Sequence, residues 1–369
     1  HAPMRRLLLI RPDHLGDLLF LTPALRHLRA LLPDAHLSLL VGPWGEEVMR
    51  HNPHLDEVLV CEFPGFTRQP KPSVWQPYRL LRREARRLRE HRFDAAIVLR
   101  FDHWWGAWLA AAAGIPRRYG YAIPEVTPFL TDPLPYHPRR HEVEQNWRLV
   151  HFAWSRGTLP VVEWWSEPDI IGPLEYAIPA EAQAWAEGWL SRHLPGSELP
   201  VVLHPGAGAA VKLWRAEAWV ALGRALAARF GVPLLLTGSP AEAGLCRRIA
   251  AQIAPSPAVA AGETTLPQLA ALLARARLVI GPDTGPLKLA AAVGAPTLQL
   301  YGPVDAVKFG PWGDPARHAV VSAGLACSPC NHLDFAPAEV GAHFCVRGIS
   351  VEAVLGHAAR LLAGAKSHR

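Results

Sequence analysis

The segment LVIGPDTGPLKLAAAVGAPTLQLYGP, residues 278–303, joins two short apolar stretches through a polar turn and an alanine-rich stretch. Apolar runs of this length, separated by a helix, are typical of strands that are buried on both faces of a parallel sheet. Pro286 suits the first turn of that helix, where its missing N–H matters least. The segment therefore predicts a β-α-β unit in which Asp283, Thr284 and Gly285 form the turn after a strand.

The same alternation of strands and helices extends over both halves of the chain. In the first half we predict strands at 6–10, 37–41, 58–60 and 95–99, with helices at 18–31, 44–50, 78–91, 104–113 and 142–154. In the second half we predict strands at 201–203, 232–236, 258–260, 278–280 and 297–300, with helices at 215–230, 241–253, 266–274, 286–293 and 351–362. The pattern predicts an α/β fold with two Rossmann-like, doubly wound lobes.

The length of 369 residues is enough for about two domains. Prolines and glycines between residues 166 and 179 interrupt the periodic pattern and indicate a connector. We predict an N-terminal domain at 4–170, an interdomain connector at 171–199, and a C-terminal domain at 200–369 that ends in a helix. Ligands of such sheets bind beyond the carboxyl ends of the strands, so we expect a site in the cleft between the lobes.

Composition narrows the class of protein. Half of the residues are hydrophobic and 19% are charged, which is typical of a globular protein with a sizeable core. No apolar run reaches the ~20 residues of a membrane span, and no secretory leader opens the chain. We therefore expect a cytoplasmic location.

Positive charge is concentrated in one segment. The formal net charge is +6, and residues 68–100 hold ten Lys or Arg against three acidic residues. This indicates an anionic partner, although a solvated arginine-rich helix face would give the same pattern. Nucleic acid is disfavoured, because the basic stretch comes without an RNA- or DNA-binding fold signature. Candidate contacts to an anionic partner are Arg82, Arg86 and Arg117.

The first β-α turn carries a carboxylate but no dinucleotide motif. The stretch IRPDHLGDLLFLTPAL, residues 10–25, lacks G-x-G-x-x-G, and no G-x-x-x-x-G-K-[ST] loop occurs in the chain. The absence of both motifs disfavours a nicotinamide or flavin enzyme and a P-loop kinase. Asp17, which follows Gly16, either only caps the helix or acts as a general base toward a substrate hydroxyl.

Three turns of the second half suit a phosphorylated ligand. Gly206 and Gly208 allow close approach of the backbone, and Lys212 follows them, an arrangement that fits a diphosphate or a simple tight turn. In the next turn, Gly238 precedes Glu242, which either binds ribose hydroxyls or is an acid in the first turn of a helix.

The turn at residues 283–285 is the strongest of these signals. Helix N–H groups point at whatever binds there, so a phosphate would explain Thr284, Gly285 and Lys288 together. A purely structural turn would need only Asp283, as a helix cap.

Several motifs together resemble those of glycosyltransferase family 9, the family of the lipopolysaccharide core heptosyltransferases. The motifs LGDLLFLTPALRHLRALLPDAHLSLLV, NPHLDEVL, HPGAG…VKLW, GSPAE and GPDTGPLKLAAAVGAPTLQLYGP occur in the order and spacing of that family and span nearly the whole chain. The resemblance implies a glycosyltransferase B-type fold, with acceptor binding in the N-terminal domain and nucleotide-sugar binding in the C-terminal one. It implies an inverting, metal-independent transfer of a sugar, typically from ADP-heptose, to a lipid-linked sugar, without a cofactor.

The resemblance also implies roles for individual residues. Asp17 takes the place of the family's proposed catalytic base, Lys212 that of its donor-phosphate lysine, and residues 283–285 that of its donor-binding Asp-Thr-Gly. The family usually has a histidine where this chain has Lys288, which keeps diphosphate binding but leaves the identity of the donor open. The candidate donor-binding residues are Gly16, Gly206, Lys212, Gly238, Glu242, Asp283, Thr284, Gly285 and Lys288.

The partners expected from this resemblance are a nucleotide-sugar donor, with an ADP-sugar favoured, and an anionic glycolipid or saccharide acceptor. The basic N-terminal segment would face the acceptor or the inner membrane leaflet, and the candidate acceptor-binding residues are Arg82, Arg86 and Arg117. Two alternatives stay open. A sugar-nucleotide epimerase or hydrolase on the same fold would need no acceptor site, and a binding protein would be non-catalytic.

A group of cysteines lies near the end of the chain. Cys327 and Cys330 form a C-x-x-C motif, and His332, His343 and Cys345 follow. This is a zinc-type pattern, and buried thiols or a local disulfide are its alternatives.

Overall fold

The computed structural model of the protein describes residues 4–67, 73–156, 168–196 and 198–364, without the side chains of residues 168 and 169. These residues group into two compact units that divide after Gly172. Each unit contains one six-stranded parallel sheet with its own hydrophobic core. The α/β, doubly wound fold class predicted from the sequence is confirmed.

The first unit is built on strands β1–β6. The elements are β1 (Arg6–Ile10), α1 (Leu15–Leu31), β2 (His36–Val41), α2 (Glu46–Met49), β3 (Glu57–Val60), α3 (Gln76–Glu90), β4 (Ala95–Val98), α4 (Trp104–Ala112), β5 (Arg117–Tyr121), β6 (Asp132–Leu134), α5 (Glu142–Trp154) and α6 (Pro168–Ile171). The strand order is β3-β2-β1-β4-β5-β6. The order therefore reverses between β1 and β4, which is where ligands bind in such sheets.

The second unit repeats this plan. The elements are α7 (Ala180–His193), β7 (Val201–Leu203), α8 (Ala216–Phe230), β8 (Leu234–Leu236), α9 (Ala243–Ala250), β9 (Ala258–Val259), α10 (Leu266–Ala274), β10 (Leu278–Pro282), α11 (Gly285–Ala292), β11 (Thr297–Tyr301), α12 (Ala306–Phe309), β12 (His318–Ser322), α13 (Phe344–Arg347) and α14 (Val351–Gly364). The strand order is β12-β11-β10-β7-β8-β9. It is the same topology as in the first unit, with the reversal between β7 and β10.

Three strands were not predicted from the sequence. Strand β5 begins with two arginines and contains a glycine, so it lacks the apolar run of a buried strand. Strands β6 and β12 are at the ends of the two sheets, and β6 contains Pro133, which an edge strand tolerates because one side of it needs no hydrogen-bond donor.

The predicted connector at 171–199 contains helix α7. Its buried residues Ala182, Ala186 and Trp189 are spaced four and three apart and form one helical face. This helix packs on α10 and groups with the second unit, and the Trp189 indole N–H donates to the Glu263 carboxylate at 3.3 Å. Two of these three buried residues are alanines, and the larger Trp185 and Leu190 lie outside the buried set, which obscured the pattern in the sequence.

Parts of some predictions lie outside the described residues. They are residues 68–72 of the basic segment, residues 157–167 of the predicted N-terminal domain, Ser197 within the predicted connector, and residues 365–369 of the predicted C-terminal domain. Within the described ranges, no helix combines the length and the apolar character that crossing a membrane requires.

Candidate active site

A cluster of acids and arginines lies where the strand order of the first sheet reverses. Strands β1 and β4 pair side by side, so the residues that follow them meet at the carboxyl edge of the sheet. Arg11 and Asp13 follow β1, and Arg100 follows β4. Asp17 lies in the first turn of α1, and Glu142 begins α5, which packs on α1. We refer to these five residues as the acid–arginine cluster.

Arg11 is the centre of this cluster and is fully buried. Its Nε lies 2.6 Å from Asp13 Oδ2, and its Nη2 lies 3.2 Å from Glu142 Oε2 and 3.7 Å from Asp17 Oδ1. Its Nη1 donates to the Asn146 side-chain carbonyl at 3.0 Å. A buried guanidinium is tolerated only when its charge is compensated, and this one meets three carboxylates and an amide.

The surroundings give Asp13 and Asp17 opposite properties. Burial, with the carboxylates of Asp13 and Glu142, raises the pKa of Asp17 to about 7, against the opposing effect of Arg11. Burial also acts on Asp13, but Arg11 and Arg100 outweigh it and hold the pKa of that carboxyl below its usual range. The Asp17 side chain is 32% exposed. A reachable carboxylate with a pKa near neutrality is suited to general-base catalysis.

A groove of about 840 Å³ lies next to this cluster in the first unit. Arg100 belongs to both, because it lines the groove and pairs with Asp13. His103 is also in the wall, and burial lowers the pKa of His103 to about 3, so its ring is neutral. The remaining wall is mainly aromatic, with Phe66, Tyr78, Trp104, Trp105 and Trp108.

A second cluster lies at the β10–α11 turn of the second unit. Lys212 Nζ lies 3.2 Å from Asp283 Oδ2 and donates to the Asp283 carbonyl at 2.9 Å. Lys288 Nζ pairs with Asp283 Oδ1 and donates to the Tyr301 hydroxyl at 3.1 Å. We refer to Lys212, Asp283, Lys288 and Tyr301 as the lysine–aspartate cluster. Two ammonium groups against one carboxylate leave it with a net positive charge.

The protonation of Asp283 follows from its two lysines. Burial would raise the pKa of Asp283, but Lys288 and Lys212 outweigh it and hold that pKa below its usual range. Lys288 is only 5% exposed, so its ammonium is engaged inside the cluster. Lys212 is three times as exposed, at 15%, and is the lysine better placed to meet a ligand.

The turn itself offers further donors. Thr284 precedes α11, whose first N–H groups have no partners within the helix. The Thr284 hydroxyl is buried and forms no hydrogen bond within the described parts of the chain. One strand end therefore combines a positive cluster, a helix N-terminus and a hydroxyl without a hydrogen bond, and this combination suits an anion.

Glu242 lies against the glycine turn after β7. Its Oε2 accepts from the Ser239 backbone N–H at 2.7 Å as part of a capping box ahead of α9. A Cβ on Gly206 would collide with the Glu242 carboxylate, and a Cβ on Gly238 would approach Glu242 to 3.1 Å. The contacts of Glu242 are those of an acid at the start of a helix, and Gly206 leaves the space that its carboxylate occupies.

The other predicted site residues are not members of these clusters. Gly16 is next to Asp17 in the first unit, whereas the other predicted donor-binding residues are in the second unit. Arg82 and Arg86 lie on the exposed face of α3. Arg117 lies at the amino end of β5, the edge of the sheet opposite to Asp13, where its Nη2 is 2.8 Å from Asp132 Oδ1.

Five residues of the two clusters were not predicted as site residues from the sequence, namely Arg11, Asp13, Arg100, Glu142 and Tyr301. A signal existed for the first three, because each is a charged residue within three positions of the end of a buried strand. Glu142 and Tyr301 are separated in sequence from their partners by more than ten residues, and nothing local marks them.

The three C-terminal cysteines are free thiols, with Cys345 buried and Cys327 and Cys330 exposed. No group of three His, Cys, Asp or Glu residues suited to a metal ion occurs in the ranges that the structure describes. These three cysteines form no disulfide with one another, which was one of the alternatives for the C-x-x-C pattern.

The fold and the two clusters define a class of protein, namely two-unit α/β enzymes of the glycosyltransferase B type. A family model described as glycosyltransferase family 9 (heptosyltransferase) matches residues 81–334. The chain belongs to this family and is a glycosyltransferase, which favours glycosyl transfer over the epimerase, hydrolase and non-catalytic alternatives.

Individual relatives agree with this assignment. Lipopolysaccharide heptosyltransferase 1 of Pseudomonas aeruginosa is 27% identical over 333 residues, which cover 88% of this chain and 86% of the relative. The solved family 9 glycosyltransferase of Veillonella parvula is 24% identical with a TM-score of 0.77, over 97% of both chains. The Escherichia coli heptosyltransferase WaaC with ADP-2-deoxy-2-fluoro heptose is 21% identical with a TM-score of 0.65, over 96% of this chain and 99% of that one.

Proposed function

We propose that the protein transfers a heptose, with inversion, from ADP-heptose to a hydroxyl of an anionic glycolipid or saccharide. The observation that carries the proposal is the positively charged lysine–aspartate cluster at the β10–α11 turn, which fits the diphosphate of a nucleotide-sugar. The WaaC structure named above holds an ADP-heptose analogue, which supports ADP-heptose as the donor class.

The proposed reaction is a single displacement. The acceptor oxygen forms a bond to the anomeric carbon, the bond from that carbon to the diphosphate oxygen breaks, and the acceptor proton passes to Asp17. The electron pair leaves with ADP, whose added charge is stabilised by Lys212, the Thr284 hydroxyl and the N–H groups of α11. General-base help of this kind contributes about 10²- to 10⁴-fold, and each well-placed electrostatic donor contributes about 3 kcal/mol.

Lys288 receives a supporting role in this proposal. Its ammonium is engaged by Asp283 and Tyr301, so it holds Asp283 in place to orient Lys212, while Lys212 contacts the diphosphate. Gly206, Gly238, Gly285 and Glu242 stay proposed donor-site residues, with Glu242 facing the ribose. Gly16 also stays a proposed donor-site residue, next to Asp17 in the first unit.

The acceptor side is proposed for the first unit. Arg82 and Arg86 are exposed cations that would meet the anionic groups of a glycolipid. Arg117 is not part of this proposal, because its guanidinium donates two hydrogen bonds to Asp132. Both residues lie at the edge of the sheet opposite to Asp13. An acceptor anchored in the inner leaflet would bring a cytoplasmic enzyme into peripheral contact with the membrane.

Donor identity is tested by binding and turnover together. We expect ADP-heptose to raise the melting temperature, and UDP- and GDP-sugars to leave it unchanged, because only a ligand that binds the folded state stabilises it. Lys212→Ala should abolish this shift, and Lys308→Ala, a lysine of the same unit outside the cluster, should preserve it. A larger shift with a UDP-sugar would overturn the proposed donor. Unimpaired ADP-heptose binding by Lys212→Ala would remove the cluster from the site.

A further inference from the structure

One surface of the first unit exposes large apolar side chains. Val74, Trp75, Tyr78 and Trp104 are 82%, 67%, 49% and 46% exposed. They are contiguous, because the ring centroids of Trp75 and Tyr78 are 6.1 Å apart, and both Tyr78 and Trp104 contact Trp108, at 5.9 and 6.2 Å. A contiguous exposed apolar patch of this kind marks an interaction site.

The same surface continues into unpaired positive charge. Helix α3 contains six arginines and two glutamates. Its inner face buries Leu81, Ala85 and Leu88 in the core of the first unit. On the outer face, Arg79, Arg82 and Arg86 are exposed and have no ion pair within the described residues, whereas Arg83 and Arg87 pair with Glu84.

The two features lie on one helix. Trp75 and Tyr78 are at the amino end of α3, and the three unpaired arginines follow over the next two turns, about 10 Å along the axis at 1.5 Å per residue. We refer to the four apolar residues and these three arginines together as the aromatic–arginine surface. Aromatic side chains beside a row of cations are the combination found at membrane interfaces, where rings enter the headgroup level and cations meet anionic lipid.

We propose that the aromatic–arginine surface docks the protein on an anionic lipid bilayer. The complementarity of charge favours lipid headgroups, and the tryptophans favour an interface over a free soluble anion. The inference deepens the proposed function, since it rests on a lipid-linked acceptor. Docking of this surface would also give a lipid-linked acceptor a path from the bilayer to the acid–arginine cluster. The groove lined by Tyr78 and Trp104 contains Arg100 of that cluster.

The test is flotation of the full chain, without donor or acceptor, on vesicles of phosphatidylcholine alone or with 30% phosphatidylglycerol. We expect binding to the anionic vesicles only, with affinity that falls at least tenfold between 50 and 300 mM salt. The triple change Arg79→Gln, Arg82→Gln, Arg86→Gln should remove the salt dependence and most of the binding. The matched triple Arg229→Gln, Arg247→Gln, Arg248→Gln, on exposed arginines of α8 and α9, should bind like the wild type.

The aromatic part is tested by Trp75→Ser, which we expect to weaken anionic-vesicle binding about tenfold while the melting temperature stays unchanged, because this ring is mostly outside the core. Equal binding to both kinds of vesicle, or equal loss in the two arginine triples, would overturn the proposal. Sedimentation showing a dimer that Trp75→Ser dissociates would overturn it in favour of a second copy. Because flotation needs no turnover, a wrong donor or acceptor would leave these results unchanged.

Discussion

Arg11 Nη2 lies 3.7 Å from Asp17 Oδ1, while Nε of the same guanidinium lies 2.6 Å from Asp13 Oδ2. Asp13 is the closer and more buried of the two carboxylates, and it compensates most of the positive charge of the Arg11 guanidinium. Asp17 is farther from the guanidinium, and burial together with the carboxylates of Asp13 and Glu142 raises the pKa of Asp17 to about 7. One buried arginine thus separates two neighbouring acids into a permanent anion and a titratable base.

This separation predicts an acid limb in the pH profile of transfer. The base must be ionised to accept a proton, so kcat/KM should rise about tenfold per pH unit below 7 and level off above it. Asp13→Asn removes a neighbouring negative charge and leaves Arg11 and Arg100 to favour ionised Asp17, so the limb should move to lower pH by about one unit. Initial rates from pH 5 to 9 measure both. A limb that stays in place in Asp13→Asn would contradict the assignment, and Asp34→Asn, an exposed acid, is the control.

The raised pKa of Asp17 also predicts a stability cost. A carboxyl whose folded-state pKa lies above its unfolded value binds more protons when folded, so the protein loses stability as pH rises from about 4 to 7. Asp17→Asn should therefore stabilise the protein above pH 7, by about 1–2 kcal/mol after allowance for solvent screening of a side chain that is one-third exposed. Urea unfolding at pH 8 and pH 4.5 checks this. The gain should vanish at the lower pH, and a gain that is equal at both would assign it to something other than ionisation.

Lys288 provides a prediction for the second unit. Lys288→Met leaves the buried Asp283 with only Lys212, and removal of one partner from a buried ion pair costs about 3 kcal/mol of unfolding free energy. Asp283→Asn combined with Lys288→Met should recover much of this loss, because no unpaired carboxylate remains. Neither variant should bind donor with wild-type affinity. Urea unfolding at pH 7 and calorimetric titration separate the effects, and additive losses in the double variant would contradict the pairing.

The sequence predicted the fold well because its buried parallel strands are continuous apolar runs with recognisable ends, as at 6–10, 95–99 and 278–280. It failed where strands are short or at the sheet edge, as in β6 and β12, because an edge strand needs neither a long apolar run nor a full set of N–H donors. Helix α7 was missed because only three of its fourteen residues are buried.

The site was predicted only in part for a different reason. Local motifs mark Asp17, Lys212 and Asp283, because each follows a strand or a glycine turn. They do not show which charges neutralise each other. The sequence predicts Lys288 as a phosphate ligand but does not show its contacts with Asp283 and Tyr301. It predicts Arg117 as an acceptor contact but does not show its pairing with Asp132.

The central claim is that Asp17 is the general base, and it is tested most directly by measuring transfer and donor affinity on one variant. For Asp17→Asn we predict a kcat that is lower by about 10²- to 10⁴-fold with a donor Kd within a factor of three of the wild type, and for Asp34→Asn no change in either. A kcat within a factor of three of the wild type in Asp17→Asn would contradict the claim.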